Sequence, residues 1–432
     1  MTEIKNVTKK RFFHVGQDWA TVIVGFVLIF TVLLAGYNIK VPSFGDKTGW
    51  HDFATFLASF SSGSFYISVL GTFLLFLVIA IIGLVFTGEK PGKFFLGFTF
   101  IFILALIAQL LSSYLPFKNL GLETVLFSLA IGLFIGHIGN LRQWLIGGAQ
   151  TELFVKVGLV LLGATILFSD LLVAGSFGLI QSVIVVFCVW NFAFWISRKL
   201  KVDDEYATIL SSAVSICGVS AAIATSGAIN GDKKKLSVII SLVLIVAIPM
   251  MIFMPVLAKW LGLSDEVTGA WLGGTIDTTG AVVGAGTIVG EIGLKYATIV
   301  KFSQNVLLGI AAFAISVFWA YRKHNGEGKR ERVPLRVIWE RFPKFVVGFM
   351  AASLLFSFFV DKELASGSGK LIKSFSGFWF NLAFISIGIE TRFSDLKSAE
   401  NKKPIYSFLI AQGFNIIFTL LVSYFLFKVM AQ

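Results

Sequence analysis

The feature that most constrains this chain is a series of apolar segments long enough to cross a lipid bilayer. A helix needs about 20 mostly apolar residues to span the hydrocarbon core. Within lipid, only helices and closed barrels satisfy every backbone amide, and these segments have helical length. We therefore predict an all-α polytopic membrane protein with about 11 transmembrane helices, near residues 20–37, 66–87, 93–113, 122–138, 152–169, 177–197, 237–258, 296–321, 342–360, 372–390 and 404–428.

Composition agrees with this class and argues against others. Of the 432 residues, 56% are hydrophobic and 14% charged, whereas soluble domains carry about 25% charged residues. The net charge of +12 comes from short Lys and Arg runs between apolar segments, which is typical of cytoplasmic loops, so no nucleic-acid partner is expected. Cys188 and Cys217 belong to no CxxC or Cys/His pattern, so neither a disulfide framework nor a metal site is predicted.

Two further apolar segments, about residues 206–229 and 267–290, are interrupted by Gly, Ser and Thr. The positive-inside rule places the basic N-terminus, Lys5 to Arg11, in the cytoplasm. The next basic clusters then fall inside on alternate loops: Lys90 and Lys93, Arg142, and Arg198 to Lys201. Lys233 to Lys235 fall inside only if the first broken segment returns to its own side. The same reasoning returns the second segment to the outer side, which favours two re-entrant segments. Two full crossings are the alternative, and they would leave the three lysines outside.

Internal similarity indicates an inverted repeat. SAAIATSGAINGD (Ser220 to Asp232) aligns without gaps on TGAVVGAGTIVGE (Thr279 to Glu291), and GATILFSDLL (Gly163 to Leu172) resembles GIETRFSDLK (Gly388 to Lys397). On the predicted topology the two members of each pair run in opposite directions, as in many secondary transporters, whose binding site lies at the repeat interface near the midplane. Chance alignment of Gly- and Ala-rich segments is the alternative. The copies also occur in permuted order along the chain.

The predicted domain organisation has two parts. Residues 1–120 comprise an N-terminal cytoplasmic segment and three peripheral scaffold helices, of which the first is expected to be a retained signal anchor. Residues 121–432 form the transporter core, and they contain the broken segments 206–235 and 267–294.

The broken segments predict a site for a small anion. Irregular backbone at membrane depth is tolerated only where it is buried in protein or lines a watery cavity. Where a helix restarts, its free N–H groups and the positive end of its dipole attract anions. The predicted substrate-binding residues in the two breaks are Ser215, Cys217, Gly218, Ser220, Thr275, Thr278 and Thr279. Close helix packing explains each small residue equally well on its own.

Charged and amide side chains add to the predicted site. Asp277 is expected either to carry a coupling proton, to bind a cation, or simply to cap the next helix. Lys301, Gln304 and Asn305 share one helical face, and Lys301 either faces the cavity or extends to the outer interface. Lys156 lies near the end of its span, where loop or interface duty is the better expectation. No cofactor is expected apart from a coupling H⁺ or Na⁺ ion.

At these residues the chain resembles the YeiH-like sulfate exporter family, conserved hypothetical membrane proteins for which sulfate is an inferred substrate. The resemblance covers roughly residues 121–430. The strings that carry it are GHIGN (Gly136 to Asn140), KVGLVLLGATI (Lys156 to Ile166), SICGVSAAIA (Ser215 to Ala224), GGTIDTTGAVVGAG (Gly273 to Gly286), Lys301 followed by VLLG, and SIGIETRFSDL (Ser386 to Leu396). It implies a transporter of a small anion in a bacterial cytoplasmic membrane.

The chain departs from that family at several predicted site positions. Many members carry a His-Glu pair and a Gln where this chain has Asp277, Thr278 and Ala281. Many also carry Arg where it has Gln304, and often Arg where it has Lys156. Fewer cations in the predicted cavity weaken the case for a dianion such as sulfate.

The first hypothesis is therefore a secondary active transporter of a small anion, such as sulfate, a related sulfur oxyanion or an organosulfonate. Access would alternate around a site between the two broken helices. The alternatives are a cation/proton antiporter and a passive anion channel. An enzyme is not expected, because no HExxH, paired-Asp or Ser/Lys motif occurs. Apart from the anion and the lipid bilayer, a homodimer is compatible with the sequence, although no residue requires one.

Overall fold

The computed structural model of the protein describes residues 16–35, 41–44, 49–88, 92, 94–119, 122–229, 231–323, 339–340, 342–391 and 402–430. In these ranges the chain is helical and contains no β-strand. The helices are α1 (Gln17–Ala35), α2 (Phe53–Ser61), α3 (Gly63–Thr87), α4 (Phe94–Ser112), α5 (Leu115–Asn119), α6 (Thr124–Gly136), α7 (Gly139–Leu145), α8 (Thr151–Gly163), α9 (Phe168–Lys199), α10 (Asp204–Ser215), α11 (Val219–Ile229), α12 (Lys233–Trp260), α13 (Asp265–Thr275), α14 (Thr279–Val289), α15 (Glu291–Lys323), α16 (Lys344–Phe358), α17 (Lys362–Glu390) and α18 (Lys402–Tyr424), with a π-helical turn at Phe425–Val429.

Eight of the described helices are long and apolar enough to cross a membrane, namely α1, α3, α4, α9, α12, α15, α17 and α18. The other three predicted spans, α6, α8 and α16, have only 13, 13 and 15 residues. The structure therefore confirms an all-α, multi-pass membrane protein, whereas the predicted number of crossings stays a prediction.

The long helices bury polar side chains and expose apolar ones. On α9, Gln181 and Ser182 are fully buried, while Phe187 is 69% exposed. In water the opposite distribution would be expected. In lipid an exposed apolar side chain carries no hydrophobic penalty, and a polar group needs a partner inside the protein. This distribution identifies the outer faces of the helices as lipid-facing.

Both predicted breaks are present. The first separates α10 from α11 at residues 216–218, where Gly218 has a left-handed φ of +59°. The second separates α13 from α14 at residues 276–278. Neither break contains proline, so in each segment the interruption falls among the Gly, Ser and Thr residues that the sequence pattern singled out.

The first broken segment is a hairpin whose two ends lie together. Lys235, at the start of α12, places its Nζ 2.8 Å from Asp203 Oδ1 and 2.9 Å from Glu205 Oε2, at the start of α10. The backbone N–H of Asp232 also donates to Glu205. Residues 204–229, called hairpin 1 below, therefore enter and leave at the same end of the protein. The positions of Lys233 to Lys235 predicted this return.

The second broken segment, residues 265–289, also forms a hairpin, called hairpin 2 below. Helices α13 and α15 run parallel and in close contact: a Cβ added to Gly269 would lie 2.5 Å from the Gly293 carbonyl oxygen, and one added to Gly273 would lie 2.4 Å from that of Ala297. Because α15 begins level with the start of α13, α14 must return to the end where α13 began. The hairpin geometry is confirmed for both segments.

Helix α12 places the two hairpins at opposite ends of the protein. It connects them directly and has 28 residues, or about 42 Å at about 1.5 Å per residue. The hairpins therefore point toward each other from opposite sides. Whether they form an inverted repeat stays a prediction, and the second Phe-Ser-Asp-Leu copy, residues 393–396, lies outside the described residues. The predicted domain boundary near residue 121 is likewise untested, although α1 packs against α8 and α16.

Accessibility labelling tests the hairpin topology. In a background without the native cysteines, we expect Lys199→Cys and Lys234→Cys to react with a membrane-impermeant maleimide from the same side of the membrane. Lys259→Cys, in the last turn of α12, should react from the opposite side, because α12 crosses while hairpin 1 does not. All three lysines are exposed. Labelling of Lys199→Cys and Lys234→Cys from opposite sides would contradict the hairpin, because it would mean that residues 204–229 cross the membrane.

Candidate functional site

The tips of the two hairpins meet around one buried ammonium group. The Nζ of Lys301, on α15, donates to the carbonyl oxygens of Ile216 in hairpin 1 (2.8 Å) and Ile276 in hairpin 2 (2.9 Å). Its third hydrogen bond is to Gln304 Oε1, at 2.8 Å. Lys301 is 1% exposed, so it neither lines an open cavity nor extends to the interface. The expected extension to the outer interface was therefore wrong, whereas the predicted role of Lys301 in substrate binding stays a prediction.

Gln304 extends the same contact. Its Nε2 donates to the carbonyl oxygens of Ser215 (2.9 Å) and Gly274 (3.2 Å), again one from each hairpin. The last carbonyls of a helix have no partner within it. Lys301 and Gln304 supply those partners for α10 and α13 at once, so a single face of α15 joins the two hairpins.

Helix α18 closes the network from another side. The Nδ2 of Asn415 donates to the carbonyl oxygens of Val214 and Thr275, both at 3.2 Å, and Gln412 Nε2 donates to Thr275 at 3.0 Å. Sequence reasoning missed these two residues. The available signal was a pair of amides three residues apart within an otherwise apolar span.

A cavity of about 440 Å³ lies against the hairpin tips, and Lys301 does not line it. Its lining includes residues of both hairpins and of α15, and apolar residues of α12 such as Ile248 and Met251. The predicted site residues that line it are Cys217, Ser220, Thr278, Thr279 and Asn305. Ser215, Gly218, Thr275, Asp277, Lys301 and Gln304 do not line it, and they lie at the contact between the tips or behind it.

The cavity reaches the N-termini of two helices, α11 and α14. Thr278 is the N-cap of α14, and its hydroxyl accepts from the Ala281 N–H at 3.3 Å. Asn305 Nδ2 contacts Thr279 Oγ1 at 3.3 Å, while Asn305 Oδ1 is buried and has no hydrogen-bond partner among the described residues. First-turn amides and the positive dipole ends of both helices therefore face one space lined by hydroxyl and amide groups.

Asp277 lies between the buried network and this cavity. It is 1% exposed, and within the described part of the chain neither carboxylate oxygen has a hydrogen-bond partner. Thr278 caps α14 instead, so the capping role considered for Asp277 is wrong. Gly218 packs directly against it: a Cβ on Gly218 would lie 3.1 Å from Asp277 Cβ. The left-handed glycine thus lets the two tips touch at the acidic residue.

Charged residues line another part of the cavity. Lys156 Nζ lies 2.9 Å from Asp18 Oδ1 and 2.8 Å from Glu152 Oε2, and the backbone N–H of Lys344 donates to Asp18 Oδ2 at 2.9 Å. These four residues line the cavity. Lys156 is therefore part of an ion-paired cluster at the cavity rather than a loop or interface residue. Asp18, on α1, was not predicted.

The fold and the cavity define a multi-pass, all-α membrane protein with two opposed hairpins. Residues 96–407 match the family described as Conserved hypothetical protein 698, which is YeiH-like. The chain belongs to this family, and the resemblance predicted from its sequence is confirmed.

The curated relatives are named as membrane proteins. A UPF0324 membrane protein of Rhodopirellula baltica is 37% identical over 371 residues, which cover 84% of this chain and 68% of that protein. One from Nitratidesulfovibrio vulgaris is 36% identical over 364 residues, covering 81% of this chain and 62% of that protein. One from Nitrosomonas europaea is 26% identical over 448 residues, covering 90% of this chain and 91% of that protein. This chain thus spans less than two thirds of the Nitratidesulfovibrio relative. No solved structure matches.

Replacing Asn415 tests the contact between α18 and the hairpins. Asn415→Leu would leave the Val214 carbonyl unpaired and remove one of the two bonds to Thr275, so we expect a loss of about 1–3 kcal/mol in unfolding free energy. Denaturant unfolding of the purified protein in detergent measures this. The control is Asn191→Leu, because Asn191 is exposed and its Nδ2 donates only within its own helix. Equal effects of the two substitutions would contradict a special role for Asn415.

Proposed function

We propose that this protein is a secondary active transporter of a small anion. The observation that carries the proposal is the cavity that ends at two helix N-termini, one from each hairpin. Helix N-termini favour anions through free N–H groups and the positive end of the dipole. Two such ends aimed at one space, together with Ser220, Thr279 and Asn305, provide many neutral donors without a strong counter-charge.

The donor set favours a compact oxyanion. Hydroxyl and amide donors suit several acceptor oxygens at once, and about 440 Å³ is within the usual range of small-molecule sites. Lys156, which also lines the cavity, is already ion-paired with Asp18 and Glu152. We propose sulfate, a related sulfur oxyanion or an organosulfonate as the substrate, and the limited positive charge favours the singly charged members.

The opposed hairpins support an alternating-access mechanism. The cavity stops at the tips, whose other side is closed by the Lys301 and Gln304 contacts. Rocking or sliding of the hairpins against the rest of the bundle would transfer the site to the opposite side. Asp277, buried at the contact, would take up and release the coupling proton in that movement. The mechanism includes no catalytic step, and we place the protein in a bacterial inner membrane with a cytoplasmic N-terminus.

Flux measurements test the proposal. In liposomes containing the purified protein, we expect saturable uptake of labelled sulfate, sulfite or a small organosulfonate that responds to an imposed pH gradient. Asp277→Asn should retain uptake but lose the response to the gradient, because the amide cannot exchange a proton. Asp170→Asn is the control, since Asp170 is ion-paired with Lys295 away from the cavity.

Three results would contradict this proposal, each in a different way. Absence of gradient-sensitive flux for every anion tested would rule out a secondary active anion transporter. Single-channel currents without saturation would indicate a passive channel, and sodium flux without an anion requirement would indicate a cation/proton antiporter. If the Asp277→Asn variant still responds to the pH gradient, only the proposed role of Asp277 as the carrier of the coupling proton is ruled out.

Asn305 tests the location of the site. Asn305→Leu removes the amide that lines the cavity and contacts Thr279, so we expect a KM for the transported anion about tenfold higher, the loss expected from one hydrogen bond to a charged group. Ser316→Ala on the same helix is the control, because the Ser316 hydroxyl donates within α15 to Ala312 and the residue does not line the cavity. Unchanged KM in Asn305→Leu would place the site elsewhere.

A further inference from the structure

The ammonium of Lys301 occupies an unusual position for a lysine. Its three N–H groups are matched by three acceptors, the carbonyl oxygens of Ile216 and Ile276 and the Oε1 of Gln304, at 2.8, 2.9 and 2.8 Å. Two of these acceptors are main-chain carbonyls at the ends of different helices. The side chain is buried, so these groups replace the water that an exposed ammonium would bind.

The two helix ends that meet here repel each other unless a positive charge lies between them. Each helix C-terminus carries a partial negative charge of roughly half an electron. Helices α10 and α13 bring two such ends to one point, where the carbonyls of Ser215, Ile216, Gly274 and Ile276 are within reach of α15. Unwound carbonyls at the C-terminal ends of half-helices form sites that bind Na⁺ in membrane transporters.

The other groups around the ammonium do not replace it. The titratable groups that act on Lys301 are Asp277 of hairpin 2 and Cys217 of hairpin 1. The remaining polar contacts to the tips come from the neutral amides of Gln304, Gln412 and Asn415. Among the described residues, Lys301 therefore supplies the positive charge at the point where the two helix ends meet.

We infer that Lys301 is a tethered replacement for a bound alkali cation. Its ammonium holds the two hairpin tips together, so no Na⁺ binds between them in the native protein, and removing the side chain opens a site for a small monovalent cation. The inference deepens the proposed transport mechanism, because it leaves the proton as the coupling ion at Asp277. The tethering itself rests only on the hairpin geometry and holds whether or not the protein transports an anion.

Thermal unfolding of the purified protein in detergent tests this directly. The midpoint is measured in NaCl, KCl, methylammonium chloride and choline chloride at equal ionic strength. We expect the wild-type midpoint to be the same in all four salts. Lys301→Ala should unfold several degrees lower in choline chloride, and Na⁺ or methylammonium should raise its midpoint in a saturable manner, as a ligand does when it binds only the folded state. Choline is too large for the vacated position.

The control is Lys295→Ala on the same helix, because Lys295 forms a partly exposed ion pair with Asp170. The unfolding midpoint of Lys295→Ala should be the same in all four salts. Lys301→Ser, which also removes the ammonium, provides a second variant with the same expected cation response. If neither Lys301 variant is recovered folded, the wild-type protein decides: an identical midpoint in the four salts supports the inference, and specific, saturable stabilisation by Na⁺ overturns it.

Indifference of the folded Lys301 variants to every small cation would also overturn the inference. These measurements involve neither substrate nor a membrane gradient. A failure of anion flux in liposomes would therefore leave the inference intact, whereas a cation-stabilised wild-type protein would refute it even if anion transport were found.

Discussion

The arrangement of this protein depends on bringing two helix C-termini together in a region without water. Helices α10 and α13 end facing each other, and their terminal carbonyls would repel and remain unpaired if nothing were placed between them. Lys301 and Gln304 from α15, with Gln412 and Asn415 from α18, provide the missing donors. The burial of these four side chains is therefore explained by the main-chain carbonyls that they bind.

The position of the cavity follows from the same contact. A hairpin of two half-helices presents one C-terminus and one N-terminus near its tip. Because the C-terminal ends of α10 and α13 are bound to Lys301, the N-terminal ends of α11 and α14 are free to face the other side, where the cavity lies. The negative ends are neutralised inside the protein, and the positive ends remain available to a ligand. Asp277 lies between these two regions, fully buried.

Much of the fold was predictable because the bilayer imposes strong constraints on sequence. Segment length identified the helices, and the Gly, Ser and Thr interruptions located both breaks within a few residues. The lysines at 233–235 indicated that hairpin 1 returns to its own side, which the Lys235 ion pairs with Asp203 and Glu205 confirm. The largest boundary errors are at the starts of α9 and α17, which begin 9 and 10 residues before the predicted spans, and at the end of α8, which stops 6 residues before the predicted end. The first turns of α9 and α17 contain charged residues, which hydrophobicity alone assigns to loops.

The site was predictable only in its residue types. The sequence identified the hydroxyl-rich breaks and the polar face of α15, but it could not separate Asn305, which lines the cavity, from Lys301, which does not. It also missed Asn415 and Asp18, which are 110 and 287 residues from Asn305 along the chain, because isolated polar residues in apolar spans carry no sign of their partners.

The amino-acid sequence alone determined the membrane class, the two broken segments, the side to which hairpin 1 returns and the family. Hydrophobicity, glycine content and loop charge are local properties that act independently of the rest of the fold. Only the tertiary structure decided which polar groups pair with main-chain carbonyls and which face the cavity. That choice depends on where helices distant in sequence place their side chains. A lysine three residues before a glutamine gives the same local sequence pattern whether its ammonium faces an anion or the C-terminal ends of two helices.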